Sequence, residues 1–261
     1  MIKYYVVDSF TNRLFKGNPA GVCVLEKRLS LELMQKIATE NNLPETAFVV
    51  KNNGNYDLRW FTPKEEIDLC GHATLAAAYV ISNFIDIDIK KICFFTQSGT
   101  LEVTRNGNLY EMIFPNREPI EIELSVQQCS LLGCTPVAIY SSRDLILLLS
   151  NEQEVIDYTP NYQDLRKLTG WLGVIITSQG TDTDFVSRYF CPELDSEDSV
   201  TGSSHCSLIP YWAEKLGKDK MIASQLSNRG GIIQCELLKD NDVKISGEAA
   251  LFMHGEIMDN I

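Results

Sequence analysis

The chain has 261 residues, 44% hydrophobic and 22% charged, with 35 Asp and Glu against 23 Lys and Arg for a formal charge of −12. That composition is ordinarily globular and long enough for two cores of roughly 130 residues each. Basic residues never cluster beyond a pair such as Lys90-Lys91, which excludes nucleic acid as the main ligand, and no apolar run approaches a membrane-spanning helix.

Eight cysteines, at 23, 70, 93, 129, 134, 191, 206 and 235, form no Cys-x-x-Cys pair, so their spacing spells neither a zinc motif nor a redox motif. In a reducing compartment most read as small buried hydrophobes. The N-terminus enters a strand pattern at once, without the apolar stretch and cleavage site of a signal peptide, and a cytoplasmic location is expected.

In chain order, Tyr4 to Phe10 reads as a strand. Thr11 to Ala20 follows as a loop closing on Gly17-Asn18-Pro19-Ala20-Gly21, either a hairpin connection or a ligand-facing loop. A helix is expected over Leu31 to Thr39. Pro44 then biases Leu43 toward an extended conformation and sets Glu45 at the entrance to the apolar strand Ala47 to Val50. A carboxylate bordering a buried strand is either a solvated edge residue or a base with a raised pKa.

The stretch Leu58 to Val80 organises the rest: a strand to Pro63, an acidic loop, the turn Gly71-His72, and an apolar run from Ala73 to Ile81. Only Thr74 is polar in that run, so no face suits water and a helix buried on all sides is predicted. A hairpin follows over Thr100 to Phe114 about Arg105-Asn106-Gly107-Asn108. Arg117 to Pro136 reads as a connector with a helix at Ser125 to Leu132, and strands are expected at Val137 to Tyr140 and Leu145 to Leu149.

The pattern then recurs. Ser187-Arg188-Tyr189-Phe190-Cys191-Pro192 repeats Leu58-Arg59-Trp60-Phe61-Thr62-Pro63, and Gly202-Ser203 repeats Gly71-His72. Upstream, Tyr162 to Leu168 precedes the strand Val174 to Thr177 as Leu31 to Ile37 precedes Ala47 to Val50. A period of half the chain means two copies of one domain, since solenoid repeats are about 20–50 residues long. The second central helix is expected to start near Ser203, capped by the hydroxyls of Thr201 to Ser204, with Pro210 kinking or interrupting it. A second hairpin, Gly231 to Leu238 with Val243 to Ser246, and a last strand, Ala249 to Ile257, complete the chain.

Two copies would each aim a helix N-terminus, Gly71-His72 and Gly202-Ser203, at a groove between them, where free amides favour an anion. No phosphate-loop or dinucleotide motif is present, so a small carboxylate is the expected ligand. Glu45, His72 and Asp198 are the candidates for moving a proton near it. A contact between Ser203 and His205, or between Cys70 and His72, is not expected, because residues two apart diverge on a helix. His205-Cys206 with His254 lacks metal-ligand spacing, and no metal is predicted.

Val7-Asp8-Ser9-Phe10 with Gly17-Asn18-Pro19-Ala20-Gly21, Leu43-Pro44-Glu45-Thr46-Ala47-Phe48, Asp68-Leu69-Cys70-Gly71-His72-Ala73-Thr74, and Glu197-Asp198-Ser199-Val200-Thr201-Gly202-Ser203 together make the chain resemble the PhzF-like family of phenazine biosynthesis. The resemblance implies an α+β fold like that of diaminopimelate epimerase: two pseudo-symmetric domains, each a curled, mostly antiparallel sheet around a buried central helix. The domains would span 1–117, completed by the C-terminal strand 249–261, and 118–248. It implies a cofactor-independent isomerase that shifts a proton within a small carboxylate substrate, and a homodimer. The family's acid/base glutamate falls on Glu45, its helpers on His72, Asp198 and Ser203, and its substrate-binding positions on Asn18, Gly71, Gly202 and Ser203. Two departures stand out. Asp198-Ser199 replaces a common Asp-Pro, and Thr201 aligns with the second cysteine of the related epimerases, leaving a two-thiol racemase incomplete. An amino-acid epimerase using Cys70, or a non-catalytic small-molecule-binding protein, are the alternatives.

Overall fold

The structure, a computed structural model, describes residues 1–87 and 89–258; the last three residues of the expected C-terminal segment 249–261 lie outside the described residues. The chain divides into two compact units, Met1–Ile113 with Ser246–Ile261, and Phe114–Ile245.

In the first unit β1 (Ile2–Ser9) pairs antiparallel with β2 (Asn18–Leu25). The helix α1 (Leu31–Asn41), capped by the Ser30 hydroxyl, carries the chain over to β3 (Glu45–Asn52), parallel to β2. β4 (Asn55–Phe61) returns antiparallel, and the short β5 (Glu66–Ile67) folds back on it. Next come the central helix α2 (Gly71–Val80) and a π turn at Ile81–Ile85. β6 (Lys91–Thr96) then lies parallel to β4, and β7 (Gly99–Asn106) and β8 (Leu109–Phe114) close as a hairpin.

Composition explains why α2 sits inside. Residues His72 to Ala78 and Val80 are all buried, and the helix packs against β1, β2 and β3. Burying a side chain such as Leu75 or Val80 contributes about 1.5–3 kcal/mol each, and the alanines let strands approach closely. A second apolar cluster on the other side of the sheet joins Met34, Ile37 and Ala38 of α1 to Phe48 and Phe61.

The second unit repeats this order. After β9 (Ile120–Glu121) and α3 (Val126–Cys129), β10 (Ala138–Ser141) pairs antiparallel with β11 (Leu145–Leu148). Two short helices follow, α4 (Glu152–Asp157) and α5 (Tyr162–Leu165), the first of which has no signal strong enough to be expected from the sequence. β12 (Val174–Gln179) is parallel to β11, β13 (Phe185–Cys191) antiparallel to β12, and β14 (Ser196–Asp198) folds back on β13. A 3-10 turn at Gly202–Ser204 leads into the central helix α6 (His205–Leu216). β15 (Lys220–Gln225) is parallel to β13 and antiparallel to β16 (Gly231–Leu237), and β17 (Val243–Gly247) follows. Finally β18 (Ala249–Ile257) pairs along the whole of β1, from Ile2↔Ile257 to Ser9↔Ala249. The fold is thus α+β and mostly antiparallel, and the parallel pairs β2–β3 and β4–β6 of the first unit are matched by β11–β12 and β13–β15 in the second.

The duplicated motif is duplicated in its contacts. Phe61 pairs in register with Glu66, and Phe190 with Glu197. Arg59 clamps Glu66 and lies over the Phe61 ring at 5.7 Å; Arg188 clamps Glu197 at 2.7 Å and lies over Phe190 at 5.0 Å.

Three local expectations are corrected. Asn18, read as part of a loop to residue 20, begins β2 opposite Ser9 and is fully buried. Gly17 makes this possible: it sits at φ +66°, and a Cβ there would stand 2.1 Å from the Ser9 carbonyl oxygen. The helix near Ser203 starts with a 3-10 turn, and the α-helix proper starts at His205. There the Thr201 and Ser204 hydroxyls donate to Asp198 and to the Thr201 carbonyl instead of capping. Pro210 does not interrupt α6. Proline removes the bond to the carbonyl four residues back, and that carbonyl, on Cys206, accepts the Arg117 amide at 2.9 Å instead.

Candidate active site

In the first unit four side chains from three separate stretches of sequence meet. Glu45, the first residue of β3, places Oε2 3.0 Å from His72 Nε2 on the first turn of α2. Both atoms are buried, and neither makes an aligned hydrogen bond within the protein. The Asn18 side-chain amide comes within 3.3 Å of His72 Nδ1. Cys70 Sγ lies 3.6 Å from the same nitrogen. This last contact corrects the sequence expectation. Cys70 is extended at φ −146° and stands at the cap rather than inside the helix, so helical divergence does not apply.

The motif around the site is largely a scaffold for it. The Ser9 hydroxyl donates to the His72 carbonyl at 2.8 Å, tying β1 to the start of α2. Asp8 accepts the Phe15 amide and shapes the loop that ends at Gly17. A Cβ added at Gly71 would meet no atom within 4 Å, and its φ is not left-handed. Nothing inside the chain demands glycine at that helix start.

Electrostatics couple the three ionisable groups. Burial alone would push His72 down, but the neighbouring Cys70 and Glu45 outweigh it and hold the imidazole well above its ordinary range. Burial, and then Glu45, pushes the Cys70 thiol up.

In the second unit Asp198 and Ser203 are held by contacts of their own, and Gly202 opens the 3-10 turn that leads into α6. The Thr201 hydroxyl donates to Asp198 Oδ2 at 2.6 Å. Gln225, fully buried, accepts the Thr201 amide and donates to the Asp198 carbonyl, both at 2.8 Å. Ser203 Oγ accepts from Arg143 Nη2 at 3.0 Å. Arg143 is itself locked by Asp144 at 2.8 Å, whose other oxygen accepts from the Tyr189 hydroxyl at 2.8 Å. Sequence reading missed Arg143 and Asp144; the available signal was a charged pair between two apolar strands. Ser203 and His205 do not pair: His205 Nδ1 bonds the Thr201 carbonyl at 2.9 Å.

A duplicated α+β unit built round a buried central helix defines the fold class. A solved probable proline racemase from Agrobacterium radiobacter shares this fold, with TM-score 0.67 over 100% of this chain and 94% of that one at 9% identity. The chain belongs to the phenazine biosynthesis-like (PhzC-PhzF) family, whose model matches residues 7–255. A crystal structure of a PhzC/PhzF protein from Clostridium difficile is similar at 79% identity and TM-score 0.98, over 99% of this chain and 100% of that one. The uncharacterized isomerase PA3578 of Pseudomonas aeruginosa is 45% identical over 98% of both chains. Among the described residues no helix is long and apolar enough to cross a membrane.

Proposed function

We propose that the protein is a cofactor-independent isomerase that moves a proton between two carbons of a small carboxylate substrate, with Glu45 as both base and acid. The observation that carries this reading is the buried Glu45 oxygen set 3.0 Å from His72 Nε2 without an aligned hydrogen bond. Such a carboxylate has a lone pair to offer a substrate and a partner that fixes its position. Glu45 takes the proton from one carbon, His72 and Asn18 hold the carboxyl in place, and Glu45 returns the proton to another carbon of the same molecule. Composition and oxidation state are unchanged, so the step balances with no further reactant. The helix-start amides at Gly71-His72 suit the substrate's carboxylate. The family resemblance extends the proposal to Asp198, Gly202 and Ser203, each of which is tested by its own variant. All eight cysteines are free, which supports a cytoplasmic protein, and the resemblance supports a homodimer, checked by sedimentation.

The test is a screen of small carboxylates in deuterated water for exchange at carbon. Glu45→Gln is expected to lower exchange about 10²–10⁴-fold, the usual share of a general acid/base; undiminished exchange would sink the reading. A second reading, an epimerase in which Cys70 carries the proton, is favoured by the thiol 3.6 Å from His72 Nδ1. Exchange at a stereocentre abolished by Cys70→Ser but surviving Glu45→Gln would select it.

A further inference from the structure

Glu45, Cys70 and His72 bring one donor each, an oxygen, a sulfur and a nitrogen, all within 4.8 Å of one another. The three lie on β3, on the cap of α2 and on its first turn, so the approach of Glu45 to the other two belongs to the tertiary fold. Tetrahedral zinc takes sulfur at about 2.3 Å and imidazole nitrogen at about 2.0 Å, which sets those atoms roughly 3.5 Å apart. Cys70 Sγ and His72 Nδ1 are 3.6 Å apart. Cys70 and His72 are buried and Glu45 is partly buried; Glu45 and His72 sit on regular elements and Cys70 on the cap of α2.

We propose that this cluster is a binding site for a thiophilic divalent cation of the zinc class, which acts as an inhibitor. Cys70 Sγ and His72 Nδ1 supply the two fixed donors, and Glu45, which faces the opposite ring nitrogen Nε2 at 3.0 Å, turns its side chain toward them to bring the third. Three protein donors leave the fourth tetrahedral position to solvent or to a substrate oxygen. On binding, the Cys70 thiol gives its proton to the buffer and the thiolate joins the cation. The inhibitory consequence rests on the isomerase reading above: the same cation occupies the Glu45 lone pair and the His72 ring, and proton transfer stops. The binding itself does not depend on that reading.

The experiment uses the full chain and zinc chloride. Calorimetry is expected to show one zinc bound per chain, with at least about tenfold weaker binding in Cys70→Ser and in His72→Gln. Cobalt in place of zinc is expected to give thiolate-to-metal charge-transfer absorption that Cys70→Ser abolishes. Cys129→Ser, which removes an exposed thiol far from any such cluster in sequence, is expected to change neither. The proposal is overturned if Cys70→Ser and His72→Gln bind zinc as the unsubstituted protein does, or if Cys129→Ser is the variant that loses the absorption. Zinc binding lost in Cys70→Ser while Glu45→Gln still exchanges deuterium would keep the metal site and sink the isomerase. Unaltered zinc binding in Cys70→Ser with exchange lost in Glu45→Gln would do the reverse.

Discussion

His205 shows how burial alone sets a proton's fate. Its ring is fully buried against Phe185 at 5.8 Å, and burial, against the opposing bond to the Thr201 carbonyl, lowers its pKa to about 4. Unfolded, the same side chain titrates near 6.5. Its contribution is therefore complete above about pH 6.5 and falls between there and pH 4, where the unfolded chain takes up a proton that the fold refuses. The loss amounts to about 3 kcal/mol by linkage. Urea unfolding at pH 7, 5 and 4 should show this decline, and His205→Gln should flatten it.

The residues of the site itself were only partly legible in sequence. Glu45 and His72 stand in local motifs with clear punctuation, a proline before one and a glycine before the other. The Cys70 contact was hidden because it depends on the cap's φ, and Arg143, Asp144 and Gln225 because their partners lie 24 to 60 residues away.

At the scale of elements, α6 makes the proline rule conditional. With the Cys206 carbonyl already satisfied by Arg117, Pro210→Ala should raise stability by less than about 1 kcal/mol, well short of the roughly 3 kcal/mol that a proline costs in an ordinary helix interior; the urea midpoint checks this. The paired arginine clamps give a second comparison. Arg59 is 17% and Arg188 13% exposed, each holding one glutamate. Arg188 also donates Nη1 to the carbonyls of Val155, Ile156 and Tyr158 at 3.1, 3.2 and 2.8 Å. Both Arg→Met changes should destabilise by removing a glutamate's ion-pair partner, Glu66 keeping only its bond from Gln97, and Arg188→Met should cost about 1–3 kcal/mol more, because carbonyls are also left without donors. Equal melting shifts would contradict that ranking. The duplication was readable because strand and turn signals are local, whereas the unbroken α6 was not, because its remedy comes from Arg117.

For the whole molecule, the two units are assembled from the chain in different ways. Phe114–Ile245 is continuous, whereas the other unit takes a second partner for β1, beside β2, from Ala249–Ile257. Translation therefore delivers the final strand of the earlier-made unit last. The usual order, in which the N-terminal domain matures first on the ribosome, should be inverted: pulse proteolysis of stalled nascent chains should find the region from Phe114 to Ile245 protected while Ile2 to Ser9 is still cleavable, until the stretch bearing β18 has cleared the exit tunnel.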